Sequence, residues 1–316
     1  MEPKRHALAD LSNVKVDRLK KPKLDVKHHF NIECKGLLEN SCPTLSQYEP
    51  DVYHFLVHLA LEQVVKNDFV SGIQTQVDFS PTITRMDRAL SVAWIFDVID
   101  TMRYQTEALF VAVSFMDRVI SKTACRPENM KLLALTCLFI ALKYIETENE
   151  MPKYSSFVTL NTLMENLENP NEYTFENVYE VESTILRQLD FRLTTATTQD
   201  FIRIFHLIPQ ITDKEKSLCS HLTQLVLLSY QFIFIPANKV AAAAVFLARV
   251  SILNPCPWTS QFSSVTGFTE EDLMKTVRLL HDLQSQFKKD SDLPQTIWTK
   301  YADSMNAIRS PIILEK

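Results

Sequence analysis

From position 50 onward, apolar residues recur along this chain every three or four positions, the rhythm of helices that bury one side. Val52, Phe55, Leu56, Leu59 and Leu61 define a first helix, and Pro50 suits its opening turn. Thr84 caps a second helix whose third position is Asp87, a carboxylate favoured at the positive helix end. Leu90, Ala93, Trp94, Phe96 and Val98 give that helix a broad apolar surface. TEALFVAVSFMDRVI makes the next. Pro127 opens PENMKLLALTCLFIALKY, which is apolar nearly all round and belongs at the centre of a bundle. FENVYEVESTILRQLDF is amphipathic and continues the series.

The pattern then restarts. TTQDFIRIF begins a helix at Thr197 or Thr198, and Thr212 with Glu215 forms a capping box for its successor. Pro236 introduces NKVAAAAVFLARVSI, a second helix of central character. With Leu133 set against Val240, Phe139 falls on Phe246 and Ala141 on Ala248. GFTEEDLMKTVRLLHDL follows, capped by Thr269. Two helical units of about 100 residues each are within ordinary domain size. A coincidence of two alanine-rich helices is the competing account.

Composition narrows the class. The 316 residues include only three glycines, Gly36, Gly72 and Gly267. Neither GxGxxG nor GxxxxGK[ST] can be built from them, so nucleotide-binding loops of those kinds are excluded. The formal net charge is −5, which does not point to nucleic acid. Residues 1 to 45 run the other way, rich in Lys, Pro, Ser and Asn, and read as a disordered basic arm. Six cysteines lack CxxC spacing and no signal peptide precedes them, so a reduced intracellular setting is expected, with Cys137 as a small core residue. The charge-free stretch from Leu132 to Leu142 is too short to span a bilayer, so no membrane is expected. His54 and His58 have metal-ligand spacing, but Phe55 occupies the place of the Glu in HExxH and no third ligand is evident. No metal or cofactor is expected, and an enzyme reading has little support.

Arg88-Ala89-Leu90 with Trp94 resembles the MRAIL…W opening of a cyclin box. TEALFVAVSFMDR resembles the second box helix, and LTCLFIALKYIE the third. VESTILRQLDFRLTTATTQDFI is similar to the stretch that joins two boxes. PANKVAAAAVFLA and WTSQFSSVTGFTEEDL match the second box of A- and B-type cyclins. The matches run in family order from about Tyr48 to Tyr301. The resemblance implies an all-α fold of two tandem five-helix cyclin boxes, preceded by an N-terminal helix and the basic arm. Its boundaries are 1–45 for the arm, 46–195 for the N-terminal helix and first box, 196–305 for the second box and 306–316 for a tail.

The resemblance to mitotic cyclins also assigns roles. It implies a regulatory subunit that pairs with a cyclin-dependent kinase in G2/M control. Lys143 and Glu182 match the lysine and glutamate that grip the kinase's regulatory helix. A partner helix ends in unpaired backbone groups, so a fixed cation and carboxylate give orientation as well as attraction. Leu186, Phe191 and Leu193 match apolar contacts of that interface, and Tyr48, Val52 and Phe55 the N-terminal helix beside it. Arg88 and Asp117 match a structural pair tying the first box helix to the second.

The substrate-docking patch departs from type. Asp87 stands in place of the family's Met, Ser91 of an aliphatic, Lys131 of a Gln and Ala93 of an Asp. Leu90, Trp94, Asp97 and Met130 remain as patch residues for kinase substrates. A smaller, more polar groove loses apolar contact at roughly 25 cal/mol per Å². The extra chain between Glu146 and Tyr173, rich in acidic residues, reads as a surface elaboration.

In the arm, Arg5, Leu8 and Asn13 fit RxxLxxxxN, the destruction box of mitotic cyclins, which implies a ubiquitin ligase as a further partner. Lys15, Lys20, Lys21 and Lys23 follow as candidate ubiquitin acceptors, and Lys20-Lys21-Pro22-Lys23 as a candidate nuclear import signal; nucleus and cytoplasm are the expected locations. Two rivals share the fold. One is a transcription-factor-IIB-like protein, but the paired CxxC motifs and basic repeats of that class are missing. The other is a cyclin-fold scaffold that has lost kinase activation.

Overall fold

The computed structural model describes residues 50–66, 68, 70–72, 82–145, 156–167, 173–208, 211–289, 294, 297, 300 and 301. Tyr48 and the destruction-box residues Arg5, Leu8 and Asn13 lie outside them. Among the described residues there are eleven α-helices, two short 3-10 turns and no strand. The helices are α1 (Pro50–Gln63), α2 (Arg85–Met102), α3 (Thr106–Ile120), α4 (Met130–Ile145), α5 (Ser156–Glu165) and α6 (Phe175–Gln188). The second half contributes α7 (Thr198–Phe205), α8 (Asp213–Leu228), α9 (Ala237–Ser251), α10 (Ser260–Thr266) and α11 (Glu270–Lys289). The chain divides into two compact units. One runs from Val65 to Thr195 and carries α2 to α6; the other runs from Ala196 onward and includes α1.

Helix boundaries follow capping chemistry. Thr84, Thr197 and Thr212 each accept a hydrogen bond from the backbone of the third helical residue. Asp87, Asp200 and Glu215 return the bond to the cap's own N–H. Thr269 and Asp272 repeat the reciprocal pair before α11. Two orphan donors per helix start are thereby satisfied.

Each unit is organised on one fully sheathed helix. Residues Leu132 to Leu142 of α4 are all buried, Cys137 among them. In α9, burial runs from Val240 to Ser251. Phe139 and Phe246 are both wholly inaccessible, as are Ala141 and Ala248, so the positions paired by sequence are equally buried in the two cores. The thiols of Cys125, Cys137 and Cys219 are buried, and desolvation pushes all three above their ordinary range, Cys125 to about 12.

Each unit also buries an arginine against a carboxylate. In the first, Arg88 of α2 meets Asp117 of α3 through two bonds, Nε to Oδ1 at 2.6 Å and Nη2 to Oδ2 at 2.7 Å. Removing either partner strands the other charge, at about 3–5 kcal/mol. In the second, Arg249 of α9 stands 3.7 Å from Glu215 of α8, both wholly buried. Arg249 also donates to the Cys256 carbonyl at 3.2 Å and lies over the Phe262 ring.

Two expectations from chain order and composition change. α1 precedes the first unit in sequence but packs in the second. Tyr53 and Ala60, seven apart and so on one face, are buried; the Tyr53 ring meets Phe201 edge-on, and its hydroxyl donates to the Thr266 carbonyl at 3.4 Å. Gln63 accepts from the Ala196 N–H at 3.0 Å. The segment between Glu146 and Tyr173 is more than a surface elaboration. Its described part holds α5, and Leu160, Leu163, Met164 and Leu167 are buried at helical spacing. Its acidic residues had masked that stripe.

Two histidines of the second unit, half-buried His206 and buried His221, are held as neutral rings. Burial and the nearby Lys216 lower His206 to about 4. Burial and Lys300 do the same for His221, which stacks on Tyr301 with ring centroids 3.6 Å apart. Unfolding frees both to ordinary values near 6.5, so the unfolded chain binds more protons between about pH 6.5 and 4. The stability these rings confer is complete above pH 6.5 and is lost as pH falls toward 4. Urea midpoints measured across that range should decline in the wild type, and decline less steeply in His206→Gln/His221→Gln.

Candidate functional site

The last turn of α4 is where the sheathed helix reaches solvent. Leu142 is buried, Lys143 is half-buried and Tyr144 is exposed. A cation in a helix's final turn is favoured by the helix dipole. The Lys143 ammonium also sits 4.2 Å above the centre of the Phe139 ring, one turn back on the same helix.

α6 packs alongside. Its capping box at Thr174 uses Asn177, and Val178, Val181 and Ile185 face the core. Glu182, one position past Val181, meets Lys143 at the edge of that buried face, and the two form a hydrogen-bonded ion pair. Glu182 keeps 14% of its side chain exposed and Lys143 32%. The pair is a pre-oriented dipole at the surface, suited to a polar element of another protein.

The chain then leaves α6 through an unusual turn. Asp190 and Phe191 both adopt left-handed backbone conformations, with φ of 52° and 54°. The Phe191 N–H donates to the Leu186 carbonyl at 2.9 Å and the Asp190 N–H to the Arg187 carbonyl at 3.0 Å. This is the double-bonded helix ending that glycine usually makes. Each left-handed L-residue costs about 1–2 kcal/mol. The Phe191 side chain is 69% exposed, so the turn holds a large apolar ring out in water. Leu186 and Leu193 are half-buried.

Sequence reasoning passed over two neighbours. Tyr179 is 43% exposed and rests on Phe139, with ring centroids 6.4 Å apart. Tyr144 is 40% exposed next to Lys143. The signal for Tyr179 was its place three residues before Glu182, which puts both on one helix face. Val52 and Phe55, 42% and 54% exposed, stand on α1 in the second unit.

The docking-patch residues divide. Leu90 is 54% exposed, Asp97 is exposed and Trp94 is half-buried, its indole N–H directed at the Asn166 carbonyl 3.4 Å away. Met130 is 2% exposed and offers no surface to a peptide in this conformation. The departures from type have local explanations. Asp87 is engaged in the α2 cap, accepting from the Thr84 N–H at 2.7 Å and hydroxyl at 2.8 Å. The Ser91 hydroxyl is buried and donates to the Asp87 carbonyl at 2.8 Å. Ala93 is buried. Among the described residues, no group of three or more His, Cys, Asp or Glu side chains is placed to hold a metal ion.

The chain matches the family models "Cyclin, N-terminal domain" over residues 51–194 and "Cyclin, C-terminal domain" over residues 196–310. It is 30% identical over 291 residues to putative cyclin-A3-1 of Arabidopsis thaliana, covering 87% of this chain and 77% of that protein. Cyclin-A1-2 of Oryza sativa subsp. japonica is 29% identical over 251 residues, which is 77% of this chain and 48% of the relative. The chain thus spans about half the length of the A1-type relatives it matches. Among solved structures, a viral cyclin from herpesvirus saimiri superimposes with a TM-score of 0.58 at 17% identity, over 73% of this chain and 96% of that one. A chain of the yeast RNA polymerase II CTD kinase CTDK-1 complex gives 0.51 at 14% identity, over 79% and 81%. These two likenesses concern the fold.

Relief of the left-handed turn is measurable. Phe191→Gly removes an unfavourable φ and an exposed ring at the cost of extra unfolded-chain entropy, so the first unit should gain roughly 0.5–1 kcal/mol. Phe191→Ala, which keeps a Cβ, should leave the urea midpoint close to wild type.

Proposed function

The chain belongs to the cyclin family, and from that membership we propose that it is a regulatory subunit that binds and activates a cyclin-dependent serine/threonine kinase. The observation that carries this reading is the Lys143–Glu182 pair, set between α4 and α6 and followed by the outward-held Phe191. Such a surface has no covalent chemistry to perform. It can hold another protein's movable helix, the pair orienting its polar end and Leu186, Phe191 and Leu193 supplying apolar area. Val52 and Phe55 on α1 enter the proposal separately, from the resemblance to the family's N-terminal helix. The regulatory subunit itself is not an enzyme.

The finer reading places this activity at G2/M, in nucleus and cytoplasm, and ends it by ubiquitin-dependent proteolysis through Arg5, Leu8 and Asn13. Resemblance to mitotic cyclins supports it, as does similarity to A-type relatives. The proposal extends to recruitment of kinase substrates at Leu90, Trp94 and Asp97. Asp87 and Ser91 put polar groups where the family has apolar ones, and Met130 is buried. Those same features favour the second reading, a cyclin-fold scaffold without kinase activation.

Pull-down from dividing cells, with the recovered kinase identified by mass spectrometry and assayed on histone, separates the two. Lys143→Ala/Glu182→Ala should abolish activation while thermal unfolding and helical content stay near wild type, because the pair is at the surface. A double variant that activates normally would remove the interface assignment. Arg5→Ala and Leu8→Ala should lengthen protein half-life at mitotic exit; loss as fast as wild type would overturn the degradation reading.

A further inference from the structure

Resting on the reading that the first unit holds a kinase, we propose that Arg118 and Lys122 are positioning residues of that site, two cations of the α3 end that fix the exit of α6 and so set where the Phe191 ring stands. Arg118 Nη2 donates to the Arg192 carbonyl at 2.9 Å. Lys122 Nζ donates to the Gln188 carbonyl at 3.2 Å. Gln188 is the last residue of α6 and Arg192 follows Phe191, so the two donors bracket the left-handed pair Asp190–Phe191 on both sides.

Several features separate this arrangement from incidental surface bonding. The Gln188 carbonyl, at the C-terminus of α6, lacks an intrahelical donor and lies at the negative end of the dipole, so a cation is its apt partner. A phenylalanine at φ 54° with its ring in water has neither intrinsic backbone preference nor side-chain packing to keep it there. The turn's own backbone bonds close it, and Arg118 and Lys122 add an anchor at a carbonyl on each side, tying it to the α3 end. Arg118 is also an expensive choice. Burial and the neighbouring Arg192 guanidinium lower its pKa, opposed by Asp190, and its buried Nη1 has no hydrogen-bond partner. A half-buried arginine beside a second arginine is not explained by solubility. Its Nη2 is directed at the turn.

The test uses the full chain and, as probe, the cyclin-dependent kinase that co-purifies with it, prepared separately. Failure of the wild type to bind that kinase would overturn the underlying reading and this proposal together. With binding established, Arg118→Gln/Lys122→Met should speed dissociation about tenfold, since interface changes act mostly on the off-rate. Amide exchange at 190–192 should accelerate in the same variant while α4 stays protected. In a Phe191→Ala background the two substitutions should add less than about twofold, because the residue they position is gone. Arg118→Lys, which keeps charge and a donor, should restore part of the loss. Wild-type dissociation in the double variant, or an equal further loss in the Phe191→Ala background, would overturn the proposal and leave kinase binding standing. If Arg118→Gln does not fold, Lys122→Met decides alone, because Lys122 is exposed.

Discussion

A helix that is apolar on every side cannot stand in water, and this chain contains two. α4 and α9 must each be sheathed completely, and the other helices of each unit are arranged to do it. At about 1.5–3 kcal/mol for each large apolar side chain removed from water, this is the main stabilising term in each unit. The same requirement locates the functional surface. The wrapped stretch of α4, Leu132 to Leu142, holds no charge, and the cation of its last turn, Lys143, stands where the helix emerges. Glu182 belongs to α6, part of that wrapping, so packing the core and pairing the two charges are one event. In α9 the corresponding place, under the alignment that matches Phe139 with Phe246, is Val250, which is buried. The two units share a core plan, and the emergent ion pair belongs to the first.

Much of this was legible before any coordinates. Four threonines with a carboxylate three residues on, at Thr84, Thr197, Thr212 and Thr269, announced helix starts because the capping box is local and needs no tertiary partner. The character of α4 and α9 was visible for a similar reason: periodicity reports how much of a helix is covered. It does not report what covers it. That is why α1, correctly read as a helix, could not be seen to pack against Phe201 and Thr266 in the second unit. Lys143 and Glu182 came from family resemblance, since an isolated lysine and glutamate 39 positions apart carry no pattern of their own.

Backbone acceptors were the main blind spot. Arg118 and Lys122 bond to carbonyls, and every residue has a carbonyl, so no side-chain pattern could name Arg192 and Gln188 as their partners. The left-handed turn was hidden for a related reason. Glycine or asparagine normally marks such a position, whereas here aspartate and phenylalanine occupy it. The buried stripe of α5 was legible in principle, through Leu160, Leu163, Met164 and Leu167, but dense acidic residues on either side obscured it. Departures at Asp87 and Ser91, read from sequence only as losses to a groove, turn out to be hydrogen-bonded members of the α2 start.

The placement of α1 has a consequence for synthesis. Tyr53 and its acceptor Thr266 are separated by 213 positions. A ribosome adding roughly 5–20 residues each second leaves the helix waiting on the order of ten to forty seconds for the carbonyl that receives it. Throughout that interval Tyr53 and Ala60 stay exposed along with Val52 and Phe55, an apolar strip on a helix still without its partners. The first unit can close without it. The second cannot be complete until α1 meets the segment around Thr266, 213 positions further along, so of the two it is the later to close.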